Sequence, residues 1–280
     1  MGTKRSWQGQ PVTQDTDITM TSETTTPIIT LFEGFRNELD QHHDRRERII
    51  KVSRDITALS KKMIFALQRV RAINQPLPPK ISQENQTRLD QIKALFNSII
   101  PDVTGINAWR YQRQIGGGIQ EFIEAISFDH YLRTQTLISH AEVQAILPHE
   151  LLVTEDDYLM GLFDLTGEMM RFAVTALSSG NAAKEDRAEA ESTDATRKLP
   201  HLTAEQAGIV IDLRAMRAEF EALSVPKRSN MLRDLFKKVE VMQSSVEKVE
   251  RAAYGILVRG SERPSGWTPD LSAPVEMEIH

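Results

Sequence analysis

The stretch LFEGFRNELDQHHDRRERIIKVSRDITALSKKMIFALQRVRAI, residues 31–73, decides the fold. Leu31, Phe35, Leu39, Ile49, Val52, Ile56, Leu59, Met63, Leu67 and Val70 recur mostly three or four apart, and no proline interrupts them before Pro76. That spacing is the period of an α-helix with one buried face. It predicts a first helix of about 40 residues, longer than an isolated helix needs to be, and such an element belongs to a bundle or an oligomer.

Working outward, QPLPPK at 75–80 is a turn, and a second helix runs from about Gln83 to Ile100, where Pro101 stops it. A third begins after Thr104, is broken or bent at Gly116–Gly118, and continues through IQEFIEAISFDHYLRT. LISHAEVQAIL is a short helix with Ser139 as its cap and Glu142 three residues on, ended by Pro148. Thr154, followed by Asp156 and Asp157, opens the next helix, and Gly180 closes it. Residues 181–198 are polar and form a flexible loop or a frayed helix end. Two further helices, about 202–224 and 227–258, are separated by Pro226. No strand alternation and no Gly-rich phosphate loop are found. The expected fold is therefore all-α, a single bundle of seven helices over residues 29–262, between a disordered Thr- and Ser-rich tail at 1–28 and a C-terminal extension at 263–280.

Composition narrows the chemistry. The 280 residues suffice for a sizeable core, and 40% hydrophobic with 26% charged residues is ordinary for a soluble protein. The absence of cysteine excludes disulfides, zinc–thiolate sites and thiol nucleophiles. No apolar run reaches the roughly 18–20 residues that span a bilayer. The opening MGTKRS has the spacing of a myristoylation signal, but one acyl chain needs a second anchor and none follows. No membrane association is expected, and the chain reads as intracellular. A formal net charge of −5 does not suit a free-standing nucleic-acid binder. Residues 36–72 nevertheless hold ten basic side chains against five acidic ones, a local surplus that contacts phosphates, meets an acidic partner or lies on a solvated face.

The chemistry-bearing residues lie in GLFDLTGEMMRF, 161–172. Asp164 and Glu168 are one helical turn apart in an otherwise oily stretch, a like-charge pair that costs a few tenths of a kcal/mol. On a helical wheel Gly161, Asp164, Glu168, Arg171 and Thr175 form one narrow polar stripe, as if lining a groove. Upstream, Glu121 and Glu124 are three apart among Phe122, Ile123, Ile126 and Phe128. Each pair by itself is also what a solvated helix face carries. If the two helices meet, four carboxylates require a cation, and hard oxygen ligands without His or Cys suit Mg²⁺ or Mn²⁺. Such an ion activates water and stabilises phosphoryl oxygens, so phosphodiester cleavage is the matching reaction. His42, His43 and Asp44 are a weaker candidate, because adjacent helical residues point to different sides.

Four segments, HDRRERIIKVSRDITALSKKMIF, GIQEFIEAISFDHYLRTQTLIS, VTEDDYLMGLFDLTGEMMR and AAYGILVRGSE, resemble in order the translin-associated factor X (TRAX) branch of the translin family, from about Phe32 to Glu262. The resemblance implies a translin-type seven-helix fold and a partner, translin, in an octamer-like hollow hetero-oligomer. It implies a Mg²⁺-dependent endoribonuclease on single-stranded RNA, with passenger-strand fragments and transfer-RNA precursor leaders as substrates and single-stranded DNA as a second ligand. A cytoplasmic and nuclear location goes with it. In that family the catalytic acids come from a Glu-x-x-Glu helix and an Asp-x-x-x-Glu helix, which match Glu121, Glu124, Asp164 and Glu168 here. The resemblance thus assigns these four as catalytic and metal-binding residues.

Two rivals belong beside this reading. In the first, the acids are structural and the chain is a non-catalytic scaffold that stabilises translin for nucleic-acid binding. The second is a ferritin-like di-metal bundle, disfavoured because such sites use Glu-x-x-His pairs and neither acidic helix has a His in register.

Overall fold

The period read from residues 31–73 folds as one continuous helix, α1, Pro27–Leu67, of 41 residues, and Val70, read as part of that period, lies buried beyond its end. The computed structural model describes residues 26–188, 202–224 and 234–259. The tail up to residue 25, the part of the polar 181–198 segment beyond Ala188 and the extension 263–280 lie outside the described residues.

The chain divides into two compact units between Asp44 and Arg45. In the first, α1 leaves Ile28, Leu31, Phe32, Phe35 and Leu39 exposed, and Phe32 meets Phe35 edge to face at 6.1 Å. Leu31, Phe35 and Leu39 therefore share the helical period but bury nothing within the unit.

In the second unit, Ile49, Ser53, Ile56, Ser60, Met63 and Leu67 form the buried seam of α1, spaced alternately four and three apart. Val52 and Leu59, read as core positions from their apolar character, are only half-buried, and serines take the closest places. The elements that follow are α2 (Pro79–Ile99), a 3₁₀ turn (Ile100–Asp102), α3 (Ile106–Arg110), α4 (Gln112–Thr134), α5 (His140–Ile146), α6 (Glu155–Ala188), α7 (Ala204–Ala222) and α8 (Leu235–Tyr254). The chain after α8 continues as a π-helical turn, Gly255–Arg259. Among the described residues there are eight α-helices and no strand. The eighth arises because the expected third helix is split at Tyr111 into the short α3 and the long α4.

Three boundaries differ from the sequence expectation, each for a physical reason. Helix α2 starts at Pro79, before Gln83, because a proline in the first turn has a preset φ and lacks only an N–H that no carbonyl would have bonded. Helix α4 is unbroken through Gly116–Gly118. Gly118 faces α1, where its N–H donates to Ser53 Oγ at 3.1 Å, and an added Cβ would stand 3.0 Å from the Ser53 carbonyl oxygen. The glycine serves close helix packing rather than a bend. Helix α6 runs through Gly180 to Ala188, since a glycine in helical conformation weakens a helix by about 1 kcal/mol without ending it. The cap expected at Ser139 is present as a full capping box with Glu142, and Thr203 forms another with Gln206 at the start of α7.

Helix α6 is the hub and packs against α4, α7 and α8. Its core side chains Leu165 and Met169 lie among Ile119, Phe122 and Ile123 of α4, Leu213 of α7, and Met242 and Val246 of α8 in one apolar cluster. The N-terminal end of α6 is fastened to α4 through Asp157, which accepts hydrogen bonds from Gln112, from Gln120 at 2.9 Å and from Thr154 at 2.7 Å. The 3₁₀ turn is tied to α1 by Asp102, which accepts from Arg48 at 2.8 and 3.0 Å and from Arg45 at 3.2 Å. The bond from Arg48 is the main reason that the Asp102 carboxyl stays below its ordinary range, despite burial that pushes it up.

The packing predicts that Gly118→Ala destabilises the fold by about 1–3 kcal/mol through overpacking against the α1 backbone. Gly117→Ala, one residue away with open space around it, is expected to stabilise by up to about 1 kcal/mol through helix propensity. Thermal melts of the two variants check the contrast, and equal Tm shifts would contradict the assigned role of Gly118.

Candidate active site

The approach of α4 to α6 is set by a missing side chain. A Cβ on Gly161 would lie 2.6 Å from Ile123 Cγ2 and 3.0 Å from the Gln120 carbonyl oxygen, so only glycine allows this crossing. Gly161 was read from the helical wheel as part of a polar stripe, and it is the buried contact point of that stripe. Glu121 and Glu124 flank Ile123 on α4, and Asp164 and Glu168 follow Gly161 at one and two turns along α6. The crossing therefore brings the two carboxylate pairs to one region.

Electrostatics record the convergence. Glu124 is 8% exposed, and its carboxyl is pushed up to about 8. Burial is the largest cause, and Glu121, Asp164 and Glu168 each add to it against the opposing charge of Lys238. Glu121 is also raised, first by burial and then by Asp164 and Glu168, with Lys61 pulling the other way.

Three of the four acids have partners of their own. Lys238, on α8, pairs with Asp164. Gln68, near the end of α1, donates to Glu168 Oε2 at 2.7 Å and to the Glu168 carbonyl at 3.0 Å, and Arg171 Nη1 reaches Glu168 Oε2 at 3.0 Å. Lys61 Nζ stands 3.8 Å from Glu121 Oε2. Glu124 accepts no hydrogen bond and forms no ion pair among the described residues. The residue is largely buried with no cation bonded to it, and burial of a charge in that state is costly.

This donor set is all carboxylate, the oxygen chemistry that suits a hard divalent cation. No group of three or more His, Asp and Glu side chains among the described residues is gathered closely enough to hold an ion as it stands. His42, His43 and Asp44 likewise form no such group; His42 lies 3.9 Å from Glu38 along the same helix.

Lys61, Gln68 and Lys238 were not identified from sequence. Lys61 lies on α1 and Gln68 in the turn just after it, seven residues on, and that spacing is the only sequence signal either one offered. Lys238 lies on a different helix far along the chain, and nothing in its local sequence distinguishes it from other surface lysines.

Residues 44–260 match the Translin family. The chain is 30% identical over 276 residues to "Translin-associated protein X" of Pongo abelii, covering 90% of this chain and 86% of that protein. It is 30% identical over 232 residues to the "Translin-associated protein X homolog" of Schizosaccharomyces pombe, covering 83% of this chain and 89% of that protein. Among solved structures, the fold is similar to that of "apo-NeC3PO", with a TM-score of 0.55 and 16% identity over 78% of this chain and 93% of that one. The matched span runs from the last residue before the second unit to just past the π-helical turn and takes in all four acids and Lys238. The chain belongs to the translin family.

Proposed function

We propose that this chain is the catalytic subunit of a hetero-oligomer with translin, a Mg²⁺-dependent endoribonuclease acting on single-stranded RNA such as passenger-strand fragments and transfer-RNA precursor leaders. The observation that carries the reading is Glu124, a largely buried carboxylate beside Glu121 of its own helix and near Asp164 and Glu168 across the α4–α6 crossing. Translin as partner is supported by the names of the relatives, which are translin-associated proteins. It is also supported by charge: a chain of net charge −5 needs positive surface from elsewhere to hold RNA.

Glu124, Asp164 and Glu168 would hold Mg²⁺, with Glu121 as a further ligand or acting through a water. The ion supplies an activated water and charge neutralisation at the phosphodiester. Gln68 and Arg171 orient the Glu168 carboxylate by bonding the same oxygen. Lys238 neutralises Asp164 and is the cation that a metal ligand role for Asp164 must displace. Glu124 holds a proton up to about pH 8 and must release it to ligate, so metal binding and proton release are coupled there.

A second reading is favoured by one observation. Because Asp164, Glu168 and Glu121 already have cationic neighbours, the acids are also compatible with a structural role in a scaffold for translin.

The test is RNA cleavage by the co-expressed complex with Mg²⁺ and with EDTA. Asp164→Asn and Glu124→Gln complexes of wild-type size are expected to lose more than the roughly 10–100-fold that loss of an outer-shell partner typically causes. Cleavage by both variants at the wild-type rate would leave the scaffold reading.

A pH prediction follows from Glu124. Its folded-state pKa is raised above the ordinary value, so the unfolded chain ionises first as pH rises and stability falls between about 4.5 and 8. In EDTA, Glu124→Gln is expected to match the wild type near pH 4.5 and to exceed its stability above pH 8, by an amount on the order of a few kcal/mol. Thermal melts across that range check the sign, and a variant that is less stable at pH 8 would contradict it.

A further inference from the structure

On α1, one turn beyond Lys61, Phe65 is 75% exposed. It lines a groove of about 520 Å³ with Lys61, Lys62, Arg69, Glu84 and Arg88. The ring is largely uncovered by the described residues, and four cations line the groove around it. Arg69 and Arg88 share the single carboxylate Glu84, at 3.3 and 3.4 Å, so the groove keeps a clear positive surplus. Lys61 belongs to both places: it lines the groove and stands 3.8 Å from Glu121 of the carboxylate site. Lys61 and Phe65 form a line along one face of α1, about 6 Å long at 1.5 Å per residue, and Arg69 follows in the turn just beyond Leu67. The remaining cations, Lys62 and Arg88, flank that line.

We propose that this groove binds single-stranded RNA next to the cleavage site, with one base stacked on Phe65 and adjoining phosphates on Lys62, Arg69 and Arg88. The inference deepens the nuclease reading and rests on it for the position of the cut beside the groove. An exposed aromatic ring within a cationic groove is the general device for single strands, since every base offers a π-face and every linkage a charge. A protein surface is a poorer match: an exposed ring at a protein interface is normally set among apolar neighbours, and charges are depleted from interface cores. Lys61 at one end meets Glu121, and Gln68, next to Arg69 at the other, meets Glu168, so the groove runs beside the carboxylates and a strand cut there has neighbouring nucleotides over Phe65. The groove also explains how a chain of net negative charge offers a local foothold to RNA, with acids on one side of Lys61 and cations on the other.

The experiment uses the complete complex with translin, in EDTA, with single-stranded RNA carrying 5-iodouracil. Irradiation is expected to crosslink the RNA to the α1 peptide containing Phe65 and to lose that crosslink in Phe65→Leu. Phe65→Leu is further expected to raise the KM of Mg²⁺-dependent cleavage about tenfold with kcat little changed, from the loss of a single stacked base. Phe65→Tyr, which keeps the π-face, should retain wild-type KM. Lys62→Gln should lower the salt slope of binding by about 0.7. Absence of the crosslink, or an unchanged KM in Phe65→Leu, would overturn the proposal, and so would dissociation of the complex in Phe65→Leu, which would make the ring a subunit contact. A complex that crosslinks through Phe65 but does not cleave with Mg²⁺ would sink the nuclease reading and leave the groove. A complex that cleaves while ignoring Phe65 would do the reverse.

Discussion

The closeness of α4 to α6 at Gly161 is the constraint on which the rest depends. With no Cβ at that point, Ile123 and the Gln120 carbonyl sit against the α6 backbone. A glycine inside a helix weakens it by about 1 kcal/mol, and that loss is offset by the apolar packing that closer approach permits. The same closeness forces four carboxylates from two helices to share one region. Burial, together with their mutual repulsion, raises Glu124 and Glu121 above the ordinary carboxylate range. Packing and function thus oppose each other at this crossing: the core is satisfied by the contact, and the acids are strained by it.

The molecule relieves part of that strain from three directions. Helix α1 supplies Lys61 and the turn after it Gln68, α6 itself supplies Arg171, and α8 supplies Lys238. The relief is incomplete at Glu124, the most buried of the four acids. A site in which all but one donor is balanced by the protein's own cations has a specific deficiency of positive charge.

Much of this was legible in the sequence because it rests on local periodicity. The long first helix, the caps at Ser139 and Thr154, the stop at Pro101 and the two acid pairs all follow from spacing along a helix and from side chains that bond their own backbone. The glycines at 116–118 were misread as a bend, because one residue type serves both for bending and for close approach, and only the neighbouring helix tells them apart. The apolar pattern also overstated Val52 and Leu59, since the tightest helix contacts favour small residues and Ser53 provides one.

By itself the sequence determined that the chain is helical, that its acids occur in two in-register pairs, and that a basic stretch lies in the first helix. Each of these depends on residues within a few turns of one another. Tertiary structure alone decided that the pairs meet, that Lys238 reaches Asp164 across 74 positions, that Gln68 reaches Glu168 across 100, and that the exposed Phe65 lies among cations from two helices. The physical reason is that these contacts are set by helix crossings. A crossing depends on the shapes of both partners, and neither helix carries that information within its own period.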